Sequence, residues 1–270
     1  MASCNGDCGS CSSDCKDRDL TLKPNEFSHI GKIYAVVSGK GGVGKSSVTC
    51  MLASAMQQRG KQTAVLDADV TGPSVPKMFG IHTRAEADAA GLLPVETSTG
   101  IRVMSINLLL EEEDAPVVWR GPVISGAIQQ FFTEVCWGDV DYMFVDMPPG
   151  TGDVPLTVFQ SLKVDGIIVV TTPQDLVGLI VKKAVNMANM MHVPVVGIVE
   201  NMSVFTCPDC GKQHHIFGES TAKNAAAQLG TEVLASLPID PRTPALADKG
   251  AIELADTDAL QPVVEKLLQS

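Results

Sequence analysis

Aromatic side chains are scarce in this 270-residue chain, at 4%, and positive charge is in deficit: 20 Lys and Arg face 31 Asp and Glu, a formal balance of −11. A field of that sign repels polyanions, so nucleic acid and anionic lipid are not the expected partners. No apolar run reaches the length of a membrane span, and no basic N-terminal region precedes an apolar one, so neither a membrane partner nor a secretory leader is expected. These absences together predict a cytoplasmic protein. Internal repeats are also missing.

What is present suits a packed core. Hydrophobic residues make up 45% and charged residues 19%, and the length fits one large α/β domain. Eight cysteines in a reducing compartment point to metal binding, catalysis or plain burial in preference to disulfides. Cys50 and Cys136 sit in the apolar patterns TCMLASAM and FFTEVCW and are expected as buried, inert thiols. The other six form two clusters, Cys4, Cys8, Cys11 and Cys15 in MASCNGDCGSCSSDC, and Cys207 and Cys210 in FTCPDCG.

Residues 1–28 carry almost no periodic hydrophobicity and are predicted to be a flexible, Cys-rich N-terminal arm. Residues 29–270 are predicted to form one domain. In it, short β-branched runs (KIYAVVS, QTAVLDAD, IRVMSI, YMFVDMPPG, DGIIVVTTP, PVVGIVENMS) alternate with helical patterns at 45–59, 123–135, 155–162 and 176–191. Runs without in/out alternation indicate strands covered on both faces. The expected fold class is therefore α/β, doubly wound, with a mostly parallel sheet flanked by helices. Residues 83–100 interrupt the alternation and are expected as a surface excursion. Residues 256–269 carry an amphipathic helical pattern.

The strongest chemical signal is SGKGGVGKSS. Gly39, Gly44, Lys45 and Ser46 satisfy G-x-x-x-x-G-K-[ST] between an apolar strand and a helix, the context that a phosphate-binding loop requires. Gly41, Gly42, Val43 and Ser47 complete the loop. Its backbone N–H groups and the helix N-terminus suit phosphate oxygens, with Lys45 reaching the β- and γ-phosphates and the Ser46 hydroxyl on Mg²⁺. Asp67, Asp69 and Asp146 end later apolar runs, where parallel strands open onto a ligand crevice. Asp146 is placed to hold Mg²⁺ through water, and Asp67 and Asp69 alternate along an extended chain, one toward the metal and one toward an attacking water.

A second lysine inside the loop, Lys40, resembles the deviant Walker A loop, G-K-G-G-x-G-K-[ST], of the MinD/ParA and nitrogenase iron-protein superfamily. That resemblance implies a homodimer sandwiching two ATP molecules, with Lys40 acting across the interface. It also implies that Asp69 positions water, that Asp67 supports the metal, and that Asn201 recognises adenine. A loop-capping role for Asn201 is the alternative.

Cys207 and Cys210 form a C-x-x-C pair, whose spacing lets two thiolates meet one metal centre. Two further ligands must come from His214 or His215, from the N-terminal cysteines, or from a second subunit. GKGGVGKSS, LDADVTGPSVPKMFG, VVWRGP, DYMFVDMPPGTGD, VVTTPQDL and GIVENMSVFTCPDCG together resemble the Mrp/ApbC-type ATPases, carriers of iron–sulfur clusters. The resemblance implies an ATPase whose two subunits hold a [4Fe–4S] cluster through Cys207 and Cys210 of each, with apo iron–sulfur proteins as recipients. The N-terminal cysteines are spaced more tightly than those of eukaryotic relatives. A second [4Fe–4S] cluster, a zinc site and a thiolate-delivering arm all remain open for them. The other functions to be weighed are a MinD/ParA-like positioning ATPase, a nitrogenase-type reductase, and a zinc-stabilised regulatory ATPase without a cluster.

Overall fold

Alternate residues of the apolar runs feed two separate cores, one on each face of a single sheet. In the computed structural model, which describes residues 21–70, 72–110, 121–150, 152–173 and 177–270, the chain runs through β1 (His29–Ser38), α1 (Lys45–Gln58), β2 (Thr63–Asp67) and α2 (Val75–Met78). Next come β3 (Ala87–Asp88), β4 (Gly91–Leu92), β5 (Val95–Glu96), β6 (Arg102–Met104), α3 (Gly121–Thr133), β7 (Asp139–Asp146) and α4 (Asp153–Ser161). The rest is β8 (Gly166–Thr171), α5 (Val177–Met190), β9 (Val195–Glu200), β10 (Phe205–Thr206), β11 (Gln213–His214), α6 (Ala222–Gln228), β12 (Val233–Ser236), α7 (Arg242–Asp248) and α8 (Gln261–Leu268).

Eight strands pair in the order β12-β9-β8-β1-β7-β2-β6-β5. Every pairing is parallel except β5 with β6. Ile33, Ala35 and Val37 of β1 join Met143 and Val145 of β7 in a core beneath α3, α4 and α5. Tyr34 and Val36 join Phe144 in the opposite core, which is closed by α1 and by Val263, Val264 and Leu267 of α8. Burial on both faces is the reason these strands read as continuous apolar runs. The mostly parallel, doubly wound α/β class holds.

Three local differences from expectation have physical causes. Residues 83–100 do more than cross the surface, because Val95 and Glu96 pair antiparallel with Val103 and Arg102 and extend the sheet by one edge strand. A two-residue strand is too short to leave a period in the sequence. The chain docks before residue 29: Leu22 N–H donates to the Ser161 carbonyl (2.7 Å), and the Asn25 amide donates to the carbonyls of Ala90 (3.2 Å) and Glu134 (3.3 Å). Cys50 is buried as expected, but Cys136 is only half-buried, with its thiol donating to the Ala90 carbonyl. Among the described residues, no helix is long and apolar enough to cross a membrane.

Candidate functional site

The loop between β1 and α1 starts at the centre of the sheet. Gly42 and Gly44 take positive φ values of 77° and 78°, a left-handed conformation that suits glycine and turns successive backbone N–H groups to one side. A Cβ on Gly44 would collide with the Asn201 amide. From the turn, α1 enters the protein almost wholly buried, from Lys45 through Met56 apart from Ser46 and Ser47.

Register brings the acidic residues to this loop. Asp146 at the end of β7 lies beside Val36 of β1 and Asp67 of β2, and both carboxylates are fully buried. Asp146 accepts contacts from three groups of one helix end: Lys45 Nζ at 2.7 Å, Ser46 Oγ at 2.6 Å and Thr49 Oγ1 at 2.8 Å. Asp67 accepts from Ser105 Oγ at 3.1 Å and from the Asp69 N–H at 3.1 Å. Burial, followed by repulsion from Asp146, pushes the Asp67 carboxyl up to about 8, partly offset by Lys45 and Ser105. Ser46, Asp67 and Asp146 thus form a set of hard oxygen donors of the kind that suits Mg²⁺. Lys40, Asp69 and Pro149 border a cavity of about 190 Å³ over residues 41–47 of the loop, which places the candidate phosphate site there.

Asn201 follows β9 and caps the loop: its Nδ2 donates to the Val43 carbonyl at 2.9 Å and its Oδ1 accepts the Met202 N–H at 2.9 Å. It also borders a larger, mainly apolar cleft of about 670 Å³ that shares Gly44 and Ser47 with the phosphate cavity. Residues 237–244, Met51 of α1, and Ile216 with Phe217 form its walls. At its rim, Arg242 pairs with Asp240 through Nη2 at 2.7 Å and Nε at 3.0 Å, which holds the Asp240 carboxyl below the usual range.

Sequence reasoning missed Thr49, Ser105 and the cleft walls. Thr49 had a readable signal, a hydroxyl one helical turn beyond Lys45. The walls come from five stretches far apart in the chain, within 44–51, 201–202, 216–217, 237–244 and 256–259, and only the proline-rich PIDPRTP hinted at one of them.

Cys207 and Cys210 lie on the turn joining β10 and β11, an antiparallel hairpin with Phe205 opposite His214. The Cys207 N–H donates to the Lys212 carbonyl and the Gly211 N–H to the Cys207 carbonyl, each at 2.9 Å. The Cys207 thiol is pulled below its usual range by the backbone N–H groups of Cys210 and Asp209 and by the Cys210 thiol. Such N–H donors stabilise a ligating thiolate. Cys210 is exposed, as are His214 and His215. Among the described residues, no third Cys, His, Asp or Glu joins the pair in a metal-binding group, so neither histidine completes a four-ligand site within one chain. Cys4, Cys8, Cys11 and Cys15 lie outside the described residues.

Comparison with known proteins agrees with this geometry. Residues 29–269 match a family of the ParA type described as NUBPL iron-transfer P-loop NTPase. An iron-sulfur cluster carrier protein of Methanocaldococcus jannaschii is 43% identical over 100% of this chain and 98% of its own. A nucleotide-binding protein of Archaeoglobus fulgidus, solved in complex with ADP, is 43% identical, with a TM-score of 0.78 over 86% of this chain and 91% of that one. The cell-division ATPase MinD of Pyrococcus furiosus shares the fold at 18% identity and a TM-score of 0.63, covering 88% of this chain and 99% of its own. With a phosphate loop at the centre of the sheet and a family match over nearly the whole described domain, the chain belongs to the NUBPL iron-transfer P-loop NTPases.

Proposed function

We propose that this protein is an ATP-hydrolysing carrier that assembles a [4Fe–4S] cluster between two copies of itself and passes it to apo iron–sulfur proteins. The observation that carries the reading is the pairing of two features in one domain: a nucleotide loop, and an exposed hairpin offering two thiolates. Two thiols leave a cubane half-ligated, and a second copy supplies the other two. A thiolate pair on an exposed turn suits a cluster that is to be given away.

The geometry supports the following roles within the nucleotide site. The loop N–H groups and Lys45 bind the phosphates, and the apolar cleft sharing Gly44 and Ser47 receives the base. Asp69 orients the attacking water, and Lys40 serves the nucleotide of the opposite subunit. The Ser46 hydroxyl and Asp146, supported by Asp67, would hold Mg²⁺, which would supply charge neutralisation at the phosphates. A positioning role on DNA or membrane is not favoured: the net charge is −11, and Lys266 on the C-terminal helix is engaged by Glu232.

Anaerobic reconstitution with iron and sulfide tests the proposal, read by metal analysis, Mössbauer spectroscopy and cluster transfer to an apoprotein. About four iron and four sulfide per dimer are expected on the hairpins, with loss in Cys207→Ser and Cys210→Ser. A colourless protein with stoichiometric zinc, or cluster transfer unaffected by both substitutions, would overturn it. The same measurement on a chain lacking residues 1–20 separates any cluster on Cys4, Cys8, Cys11 and Cys15 from the one on the hairpin.

A further inference from the structure

Both legs of the cysteine hairpin are built into the wall of the cleft that adjoins the phosphate loop. On the entry leg, the Ser203 N–H donates to the Leu237 carbonyl and the Ile239 N–H to the Val204 carbonyl, each at 2.8 Å. Leu237 and Ile239 line the cleft. On the exit leg, Ile216 and Phe217, two and three residues beyond β11, line it directly. Ile216 is 58% exposed, so its side chain borders the cleft with apolar surface still open to a ligand. Farther along, the Ser220 hydroxyl bonds Glu200, a buried carboxylate immediately before Asn201.

The cleft shares Gly44 and Ser47 with the phosphate cavity. A nucleotide with its phosphates on the loop has only a few ångströms of sugar between them and its base, so this adjoining cleft lies within reach of the base. We propose that Ile216 and Phe217 contact the bound nucleobase, and that this contact couples base occupancy to the position of Cys207 and Cys210. The proposal rests on the carrier reading for its purpose, but its geometry requires only that a nucleotide bind. The base closes a gap between α1 and the exit leg, covers Ile216, and draws the hairpin toward the nucleotide. A ligand with phosphates alone leaves the exit leg untouched.

The test uses the apo protein and needs no cluster. Iodoacetamide labelling of the peptide carrying Cys207 and Cys210 is followed by mass spectrometry, without ligand, with ADP, and with inorganic tripolyphosphate. ADP is expected to change the labelling rate by about threefold or more, tripolyphosphate by less than about 1.5-fold, as order-of-magnitude figures for local ordering. Phe217→Ala is expected to weaken ADP binding about tenfold, leave tripolyphosphate binding within about twofold, and abolish the ADP effect on labelling. Phe217→Leu should restore much of both and guards against misfolding. Equal labelling shifts with ADP and tripolyphosphate would overturn the inference, as would unchanged labelling at saturating ADP. Failure of ADP to bind at all would overturn the nucleotide reading with it, whereas failure of cluster assembly with the labelling result intact would overturn the carrier reading alone.

Discussion

Lys45 Nζ lies 2.7 Å from Asp146 Oδ1, with the lysine side chain 6% and the aspartate 0% exposed. In this arrangement the loop cation is folded back onto the carboxylate at the end of β7, and Ser46 and Thr49 donate to the same group. A nucleotide's phosphates must compete for partners already satisfied, so nucleotide binding exchanges one set of buried polar contacts for another.

The pair sets a stability prediction. Asp146→Ala leaves a buried ammonium without its counter-charge and the Ser46 hydroxyl without its acceptor, while the Thr49 hydroxyl keeps the Lys45 carbonyl, at an expected cost of about 3–5 kcal/mol. Adding Lys45→Met to that variant should recover most of the loss, because the stranded charge is then gone. Urea denaturation of the two single variants and the double measures this, and a double variant less stable than Asp146→Ala would contradict it.

Asp67 gives a pH dependence whose sign follows from its surroundings. Burial and the neighbouring Asp146 raise its carboxyl from 3.8 to about 8. The folded protein therefore keeps a proton that the unfolded chain releases above about pH 4, and its contribution to stability is full below that point. It is lost progressively as pH rises toward about 8. Asp67→Asn keeps an acceptor for the Asp69 N–H and turns an amide N–H toward the Ser105 hydroxyl, which can accept it, while removing the charge. Its stability advantage over the parent should be small near pH 5 and grow toward about pH 8. Denaturation midpoints at several pH values would show it, and an advantage independent of pH would refute the assignment.

Gly44 is required twice, by a φ of 78° and by the Asn201 amide standing where a Cβ would go. Gly44→Ala should weaken ADP binding by more than about tenfold, combining a backbone penalty of about 1 kcal/mol with the collision. Adding Asn201→Ala relieves the collision and not the backbone, so calorimetry should find only partial recovery. Wild-type ADP affinity in Gly44→Ala would rule this account out.

The phosphate loop was legible because its chemistry is contiguous: nine neighbouring residues carry it, between a strand and a helix that each show their own period. Asp67 and Asp146 were legible as strand ends, although nothing in the sequence says that β2 and β7 are neighbours and hold the two carboxylates side by side. The cleft was not legible, since Met51, Phe217 and Pro238 meet only after the sheet has assembled. Nor was β5, whose two residues are defined by the edge they pair with and not by any pattern of their own. The cysteine pair was readable as two thiols close enough to face one centre. The N–H groups that tune Cys207, however, depend on how residues 208–211 turn, which a spacing cannot reveal.

That turn can be tested through Gly211. Its φ of 70° lies in the left-handed region, yet a Cβ there meets nothing within 4 Å, so any effect of substitution is backbone strain and not crowding. The Gly211 N–H donates to the Cys207 carbonyl at 2.9 Å and closes the loop that brings the Asp209 and Cys210 N–H groups to the Cys207 sulfur. Opening the turn withdraws those donors, and the Cys207 thiol should return toward its ordinary range. In Gly211→Val, where a β-branched side chain resists positive φ, the pH at which Cys207 alkylation is half-maximal should rise relative to the parent. In Gly211→Asn, which tolerates the left-handed region, it should stay close to the parent value. Alkylation rates of the Cys207 peptide over a pH series, with the urea-unfolded chain as reference, measure the shift directly. If Val and Asn behave alike, the low thiol range of Cys207 does not come from the turn, and the hairpin is not preorganised to present a thiolate.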